Sequence, residues 1–205
     1  MLSALFLNCS LKKGSEVSNT SALIGESMKI MGEKGIRTEE IRIADVDFPA
    51  AMETDTGNGD GWPAIYEKVK AADILVIGTP LWLGEKSSLA TKVIERLYAA
   101  SSETNDEGQA IYYNKVGGVI VTGNEDGAKH ASASVLYALQ HIGFTVPPNV
   151  DAYWVGEAGP GPSYIEAGQS NDFTKNSVKT LSYNLYHFAS LLQKNPVPAE
   201  GNTQE

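Results

Sequence analysis

The sequence predicts an α/β fold, a doubly wound five-stranded parallel sheet with helices on both faces. Three observations lead there. Residues 74–78 and 116–121 are short runs of apolar and β-branched side chains without polar alternation, which suits strands covered on both faces. The longer segments between such runs carry apolar residues at helical spacing. The two patterns alternate along the chain with connections too long for hairpins, which implies parallel strands joined by right-handed crossovers.

Taken in order, residues 2–7 form a short buried strand, followed by a polar loop at 8–17. Residues 18–33 place Leu23, Ile24, Met28 and Met31 on one helical face, and Gly35 fits the helix end. Residues 37–43 alternate Ile41 and Ile43 with polar residues, as a strand near an edge does. The stretch 44–61, rich in Asp, Gly and Asn and containing Pro49, reads as a loop. A short helix at 62–71 leads to the strand at 74–78, a loop at 80–87 and a helix at 88–100. A polar insertion at 101–113 precedes the strand at 116–121, a loop at 122–127 and a helix at 128–142. A last strand is expected to begin at 144–146.

Residues 149–172 then read as a long inserted loop, with Gly159, Pro160, Gly161 and Pro162 and the apolar Tyr153-Trp154-Val155. Residues 172–193 form a closing helix. The expected organisation is one domain over 1–194 and a disordered tail at 195–205.

A chain of 205 residues buries enough surface to fold without a metal or disulfide staple. Its single cysteine, Cys9, rules out an intrachain disulfide and points to a reducing compartment. The opening MLSALFLNCS has no basic n-region, and its apolar run is too short to span a bilayer, so a cytoplasmic location without membrane insertion is expected. The net charge of −9, with no basic cluster, argues against nucleic acid or an anionic membrane surface as a partner.

In sheets of this kind ligands bind beyond the carboxyl ends of the strands, so three loops matter most. The first gathers hydroxyls at Ser10, Ser15, Ser18 and Thr20, an amide at Asn19 and cations at Lys12 and Lys13, just where a helix begins. A helix cap needs one hydroxyl; this set exceeds a cap and suits a phosphate, which also gains from helix N-terminal N–H groups. The loop has only Gly14, so it is neither a G-x-G-x-x-G nor a G-x-x-x-x-G-K-[ST] motif. Cys9 suggests a phosphatase nucleophile, but Ser15 stands where that chemistry needs arginine, and a small core role fits better.

At this loop the chain resembles the FMN-dependent reductases of the flavodoxin-like superfamily, whose S-x-(R/K)…S-N-T loop binds the 5′-phosphate of flavin mononucleotide (FMN). Ser10, Lys12, Ser18, Asn19 and Thr20 match that pattern. The resemblance continues at Thr79-Pro80-Leu81-Trp82-Leu83-Gly84, which follows the family's (S/T)-P-x-(Y/W)-x-G, and at the helix after it, where Glu95 replaces the usual aspartate. Trp82 offers a flat face to a flavin ring, with core packing as the alternative, and backbone N–H groups from Leu81 to Gly84 suit the ring's polar edge. By the same resemblance, Thr122, Gly123, Asn124 and Gly127 contact the pyrimidine edge and ribityl chain; Glu125 and Asp126 are less firmly placed, and His130 is more simply a surface residue.

The resemblance implies a flavodoxin-like fold, FMN as cofactor, NADPH or NADH as co-substrate, a small-molecule electron acceptor such as a quinone or flavin, and a homodimer or homotetramer. The flavin carries the chemistry, so no catalytic side chain and no metal are expected. The alternative is a flavodoxin-type electron carrier that does not itself oxidise NAD(P)H. The Tyr153-Trp154 segment fits a cover over the flavin, a subunit contact or a self-packed loop.

Overall fold

The structure is a computed structural model that describes residues 1–204. The parallel strands β1 (Ser3–Asn8), β2 (Arg37–Arg42), β3 (Ile74–Trp82), β5 (Val116–Gly123) and β6 (Asp151–Val155) run in the order β2-β1-β3-β5-β6. A two-residue strand, β4 (Glu85–Lys86), pairs antiparallel with the end of β3. The helices are α1 (Asn19–Glu33), α2 (Trp62–Ala71), α3 (Ser88–Tyr98), α4 (Ala128–His141), α5 (Tyr164–Ala167) and α6 (Asp172–Lys194). The expected doubly wound flavodoxin-like sheet is therefore present.

Side-chain alternation along the strands builds two cores. Leu5, Leu7, Leu75, Ile77, Val119 and Val121 face one side and pack with α2, α3 and α4. Ala4, Phe6, Ile74, Val76 and Ile120 face the other and pack with α1 and α6. Because both faces are covered, the central strands carry no polar alternation, which is why they were legible as continuous apolar runs. On β2, Arg37, Glu39 and Glu40 remain partly or fully exposed, as an edge strand allows.

Four expectations are corrected. The last parallel strand is not at 144–146, where Thr145 makes only an isolated bridge to Val116. Pro147 and Pro148 follow, and Asn149 adopts φ 53, so pairing resumes only at Asp151, where Ala152 pairs with Ile120 and Trp154 with Thr122. The stretch 149–172 is accordingly not a loop: it contains β6, α5 and a 3₁₀ turn at Gly168–Ser170. Residues 80–87 are not an open loop either. β3 continues through Trp82, turns at Leu83 (φ 53) and Gly84 (φ 78), and returns as β4. Two successive positive φ values are the signature of a type I′ hairpin.

The fourth correction concerns 195–204. This segment lies against the 101–113 insertion instead of being disordered. Gln109 Nε2 donates to the carbonyls of Val197 and Pro198 at 3.1 and 3.2 Å, and the Gln204 N–H donates to Gly108 O at 2.8 Å. Both segments are polar, so neither shows an apolar pattern in sequence; each satisfies the other's backbone groups.

Candidate functional site

The three loops at the carboxyl ends of β1, β3 and β5 converge on one cleft of about 330 Å³. Its first wall begins at Asn8, which is buried and orders the strand exit: its Oδ1 accepts the Ser10 N–H at 2.9 Å and its Nδ2 donates to Glu40 Oε1 at 2.8 Å. Ser10 Oγ in turn accepts the Lys12 N–H at 3.3 Å. Ser10, Lys12, Asn19 and Thr20 all line the cleft. Asn19 and Thr20 open α1, so their N–H groups have no carbonyl one turn earlier to bond. Ser18 does not line the cleft; its Oγ accepts the Ser21 N–H at 3.2 Å and caps the helix. On the floor, Thr20 Oγ1 and Thr122 Oγ1 lie 2.9 Å apart, joining the first loop to the third.

The second wall is the β3–β4 hairpin. Pro80, Leu81 and Trp82 line the cleft; Trp82 is 47% exposed, so its indole lies outside the core. Leu83, 89% exposed, and Gly84 form the turn beyond the cleft. The hairpin base is fixed by Ser87, whose Oγ donates to Cys9 O at 2.7 Å and accepts the Ala90 N–H at 3.1 Å. Its tip is fixed to α4 by His130 Nε2 and Glu85 Oε1 at 2.7 Å and by Lys86 Nζ donating to Ser134 Oγ at 2.8 Å. The hydrogen bond from His130 holds the Glu85 carboxyl below its usual range.

The third wall is Thr122, Gly123 and Asn124, with Glu125 beside them. Here the glycines allow close approach. A Cβ on Gly123 would lie 2.6 Å from Leu81 Cβ, and one on Gly127 (φ 112) would lie 2.5 Å from Gly84 Cα. Gly84 and Gly127 thus lie backbone against backbone and lock the hairpin to the third loop without lining the cleft.

Leu11 and Gly159 also line the cleft and were not anticipated; Trp154, for which a cover over the ligand was one of three alternatives, lines it too. The alternation Asp151-Ala152-Tyr153-Trp154-Val155, with Ala152 and Trp154 buried, was the available signal for a strand ending at the site. Gly159 had no such signal, because the sheet topology alone brings it there. Cys9 is fully buried, and burial pushes its thiol well up from the ordinary range. Native protein at pH 8 is therefore expected to resist a thiol-titrating disulfide reagent, releasing one equivalent of chromophore only in denaturant.

A parallel sheet of this order with a cleft built from three loops at its carboxyl edge is the flavodoxin-like architecture. The chain belongs to the NADPH-dependent FMN reductase family, whose sequence profile matches residues 2–158. It is 38% identical, over 95% of its length and 80% of the relative's, to the 8-demethyl-8-aminoriboflavin-5'-phosphate synthase of Streptomyces davaonensis. The crystal structure of RosB with bound 8-demethyl-8-formylriboflavin-5'-phosphate superimposes with a TM-score of 0.88 at 36% identity, covering 96% of this chain and 82% of that one. The chain is also 48% identical, over 94% of its length, to a protein of Mycobacterium bovis named divalent metal cation transporter MntH, of which it spans 29%. Among the described residues no helix is long and apolar enough to cross a membrane.

Proposed function

We propose that the cleft binds FMN and that the protein is an enzyme which takes hydride from NADPH or NADH and passes electrons to a small acceptor such as a quinone or flavin. The observation that carries this reading is the meeting, in one cleft, of Ser10, Lys12 and the open N-terminus of α1 with the half-exposed face of Trp82. That donor set fits a phosphorylated ligand with a planar ring. FMN, when bound, supplies the hydride-accepting and electron-donating ring.

The residues do the rest. Lys12, the Ser10 hydroxyl and the first-turn N–H groups of Asn19 and Thr20 hold the phosphate. Thr122, Gly123 and Asn124 hold the ribityl chain and pyrimidine edge, and Pro80, Leu81 and Trp82 wall the ring. Ser18, Leu83, Gly84 and Gly127 act one step back, as helix cap, turn and backbone lock. The Glu125 carboxylate, on the cleft wall, disfavours additional negative charge. In this reading the protein works as a homodimer or homotetramer.

The test is the absorption spectrum of the purified protein, followed by FMN titration and by aerobic NADPH and NADH consumption without a partner protein. A flavin spectrum with turnover supports the enzyme; flavin uptake without NAD(P)H oxidation supports an electron carrier instead. Lys12→Ala is expected to weaken FMN binding about 10-fold or more, from loss of a charge-assisted hydrogen bond. Riboflavin, which lacks the phosphate, should bind both proteins equally by fluorescence quenching.

A second reading is favoured by the Streptomyces relative and by the ligand in the RosB structure: the flavin phosphate is the molecule altered, not a resident cofactor. Mass spectrometry of the flavin after turnover separates the two. Unchanged FMN accompanying NAD(P)H oxidation supports the reductase; a flavin of altered mass supports the second reading.

A further inference from the structure

Two carboxamides of the cleft, Asn19 and Asn124, are each half engaged elsewhere. The Ile165 N–H donates to Asn19 Oδ1 at 3.1 Å. Asn124 Nδ2 donates to Gly161 O at 3.1 Å and to Pro162 O at 3.2 Å. These partners fix how each amide points, because a backbone N–H meets only the amide oxygen and carbonyls meet only the amide nitrogen. Asn19 is left with a free donor, Nδ2, and Asn124 with a free acceptor, Oδ1. Both residues line the cleft.

The segment they hold, residues 156–165, runs as a strap from the end of β6 to α5 and places Gly159 in the cleft wall. Its near end is fixed where the Gly156 N–H donates to Gly123 O at 2.8 Å. Its far end is fixed by the capping box of α5, in which Glu166 Oε2 accepts the Ser163 N–H at 2.8 Å. Between these ends, apart from the exposed Glu157, the side chains are small or cyclic, with Gly159, Pro160, Gly161 and Pro162 in succession. The two cleft amides therefore supply the fastening that the strap's own side chains do not.

We infer that Asn19 and Asn124 are positioning residues that couple occupancy of the cleft to closure of the strap at 156–165. A ligand that accepts from Asn19 Nδ2 and donates to Asn124 Oδ1 locks both amides in the orientation the strap requires, and it leaves only after the strap lets go. FMN has both kinds of group, acceptor oxygens on its phosphate and ribityl chain and an imide N–H on its ring. The inference rests on the reading of the cleft as an FMN site. It makes FMN a slowly exchanging resident.

Hydrogen exchange of the full chain, with and without FMN, tests the coupling together with the FMN dissociation rate read by flavin fluorescence after dilution. FMN is expected to slow exchange across 156–165, the Ile165 amide included. Asn124→Asp, which loses the donors to Gly161 and Pro162, should speed FMN dissociation about tenfold. Glu166→Ala, exposed and outside the cleft, should speed it about threefold by loosening the far end of the strap. Asn19→Asp keeps the acceptor for the Ile165 N–H and should keep strap protection while binding FMN more weakly. FMN uptake with no change in strap exchange, or wild-type dissociation rates in both Asn124→Asp and Glu166→Ala, overturns the coupling. Absence of FMN uptake by the wild-type chain overturns the cleft reading as well, and so tells the two failures apart.

Discussion

Arg96→Ala is expected to lower the unfolding free energy by about 3–5 kcal/mol, the cost of leaving a buried carboxylate without its partner. The side chains of Arg96, on α3, and Asp60 are both fully buried, with Arg96 Nη2 2.6 Å from Asp60 Oδ2. The same guanidinium donates to Pro49 O at 3.0 Å and to Thr54 O at 3.4 Å, so one side chain gathers the whole 44–61 segment. Phe48 and Trp62 stack near it, with ring centroids 5.9 and 5.7 Å from Cζ. Arg96→Lys keeps the charge but not the fork that reaches three acceptors, and should recover only part of the loss. Urea unfolding followed by circular dichroism measures both variants.

The same pair sets an acid dependence. Burial by itself would raise the Asp60 carboxyl, but hydrogen bonds from Arg96, from the Thr56 and Trp62 N–H groups and from the Thr56 hydroxyl outweigh it and hold the carboxyl far below the usual range. A lowered folded-state value means the stabilisation is complete above the ordinary aspartate range, near about pH 4, and is lost as pH falls below it. Asp60→Asn should therefore be less stable at pH 7 and lose less stability than the wild type between about pH 4 and pH 2. An unchanged acid slope in that variant would show that other carboxylates govern acid unfolding.

Gly127→Ala is expected to destabilise by about 2–4 kcal/mol and to weaken FMN binding at least about tenfold. The added Cβ would lie 2.5 Å from Gly84 Cα and 2.8 Å from Gly84 O, both backbone atoms that cannot rotate aside. The residue is also held at φ 112, where a side chain is strained whatever the space. Relief requires the hairpin to move off the third loop, carrying Pro80–Trp82 with it. Gly14→Ala is the useful control: its φ of 55 is also left-handed, though in the region a side chain tolerates better than φ 112, and nothing lies within 4 Å of a Cβ there. It should cost about 1 kcal/mol and leave the hairpin in place. Thermal unfolding and FMN titration of the two variants separate strain from displacement.

The sequence by itself determined the layers of this protein and the residue types of its site. Strands buried on both faces must be apolar throughout, and helices lying on a sheet must be apolar on one stripe, so β1, β3, β5, α1, α2 and α4 are written in local patterns. Ten of the fourteen anticipated site residues line the cleft, because a loop's place at a strand's carboxyl end follows from chain order alone. Tertiary structure decided the remainder. Whether Ser18 faces the cleft or caps α1, and whether Gly84 and Gly127 meet the cleft or each other, depends on approaches of a few ångströms between segments far apart in the chain. The last strand lay beyond Pro147 and Pro148 because β5 offered pairing partners there, and the polar tail settled on an equally polar insertion through backbone hydrogen bonds that no side-chain pattern records. Local periodicity encodes which face of an element is buried; it does not encode which distant backbone will come to lie against it.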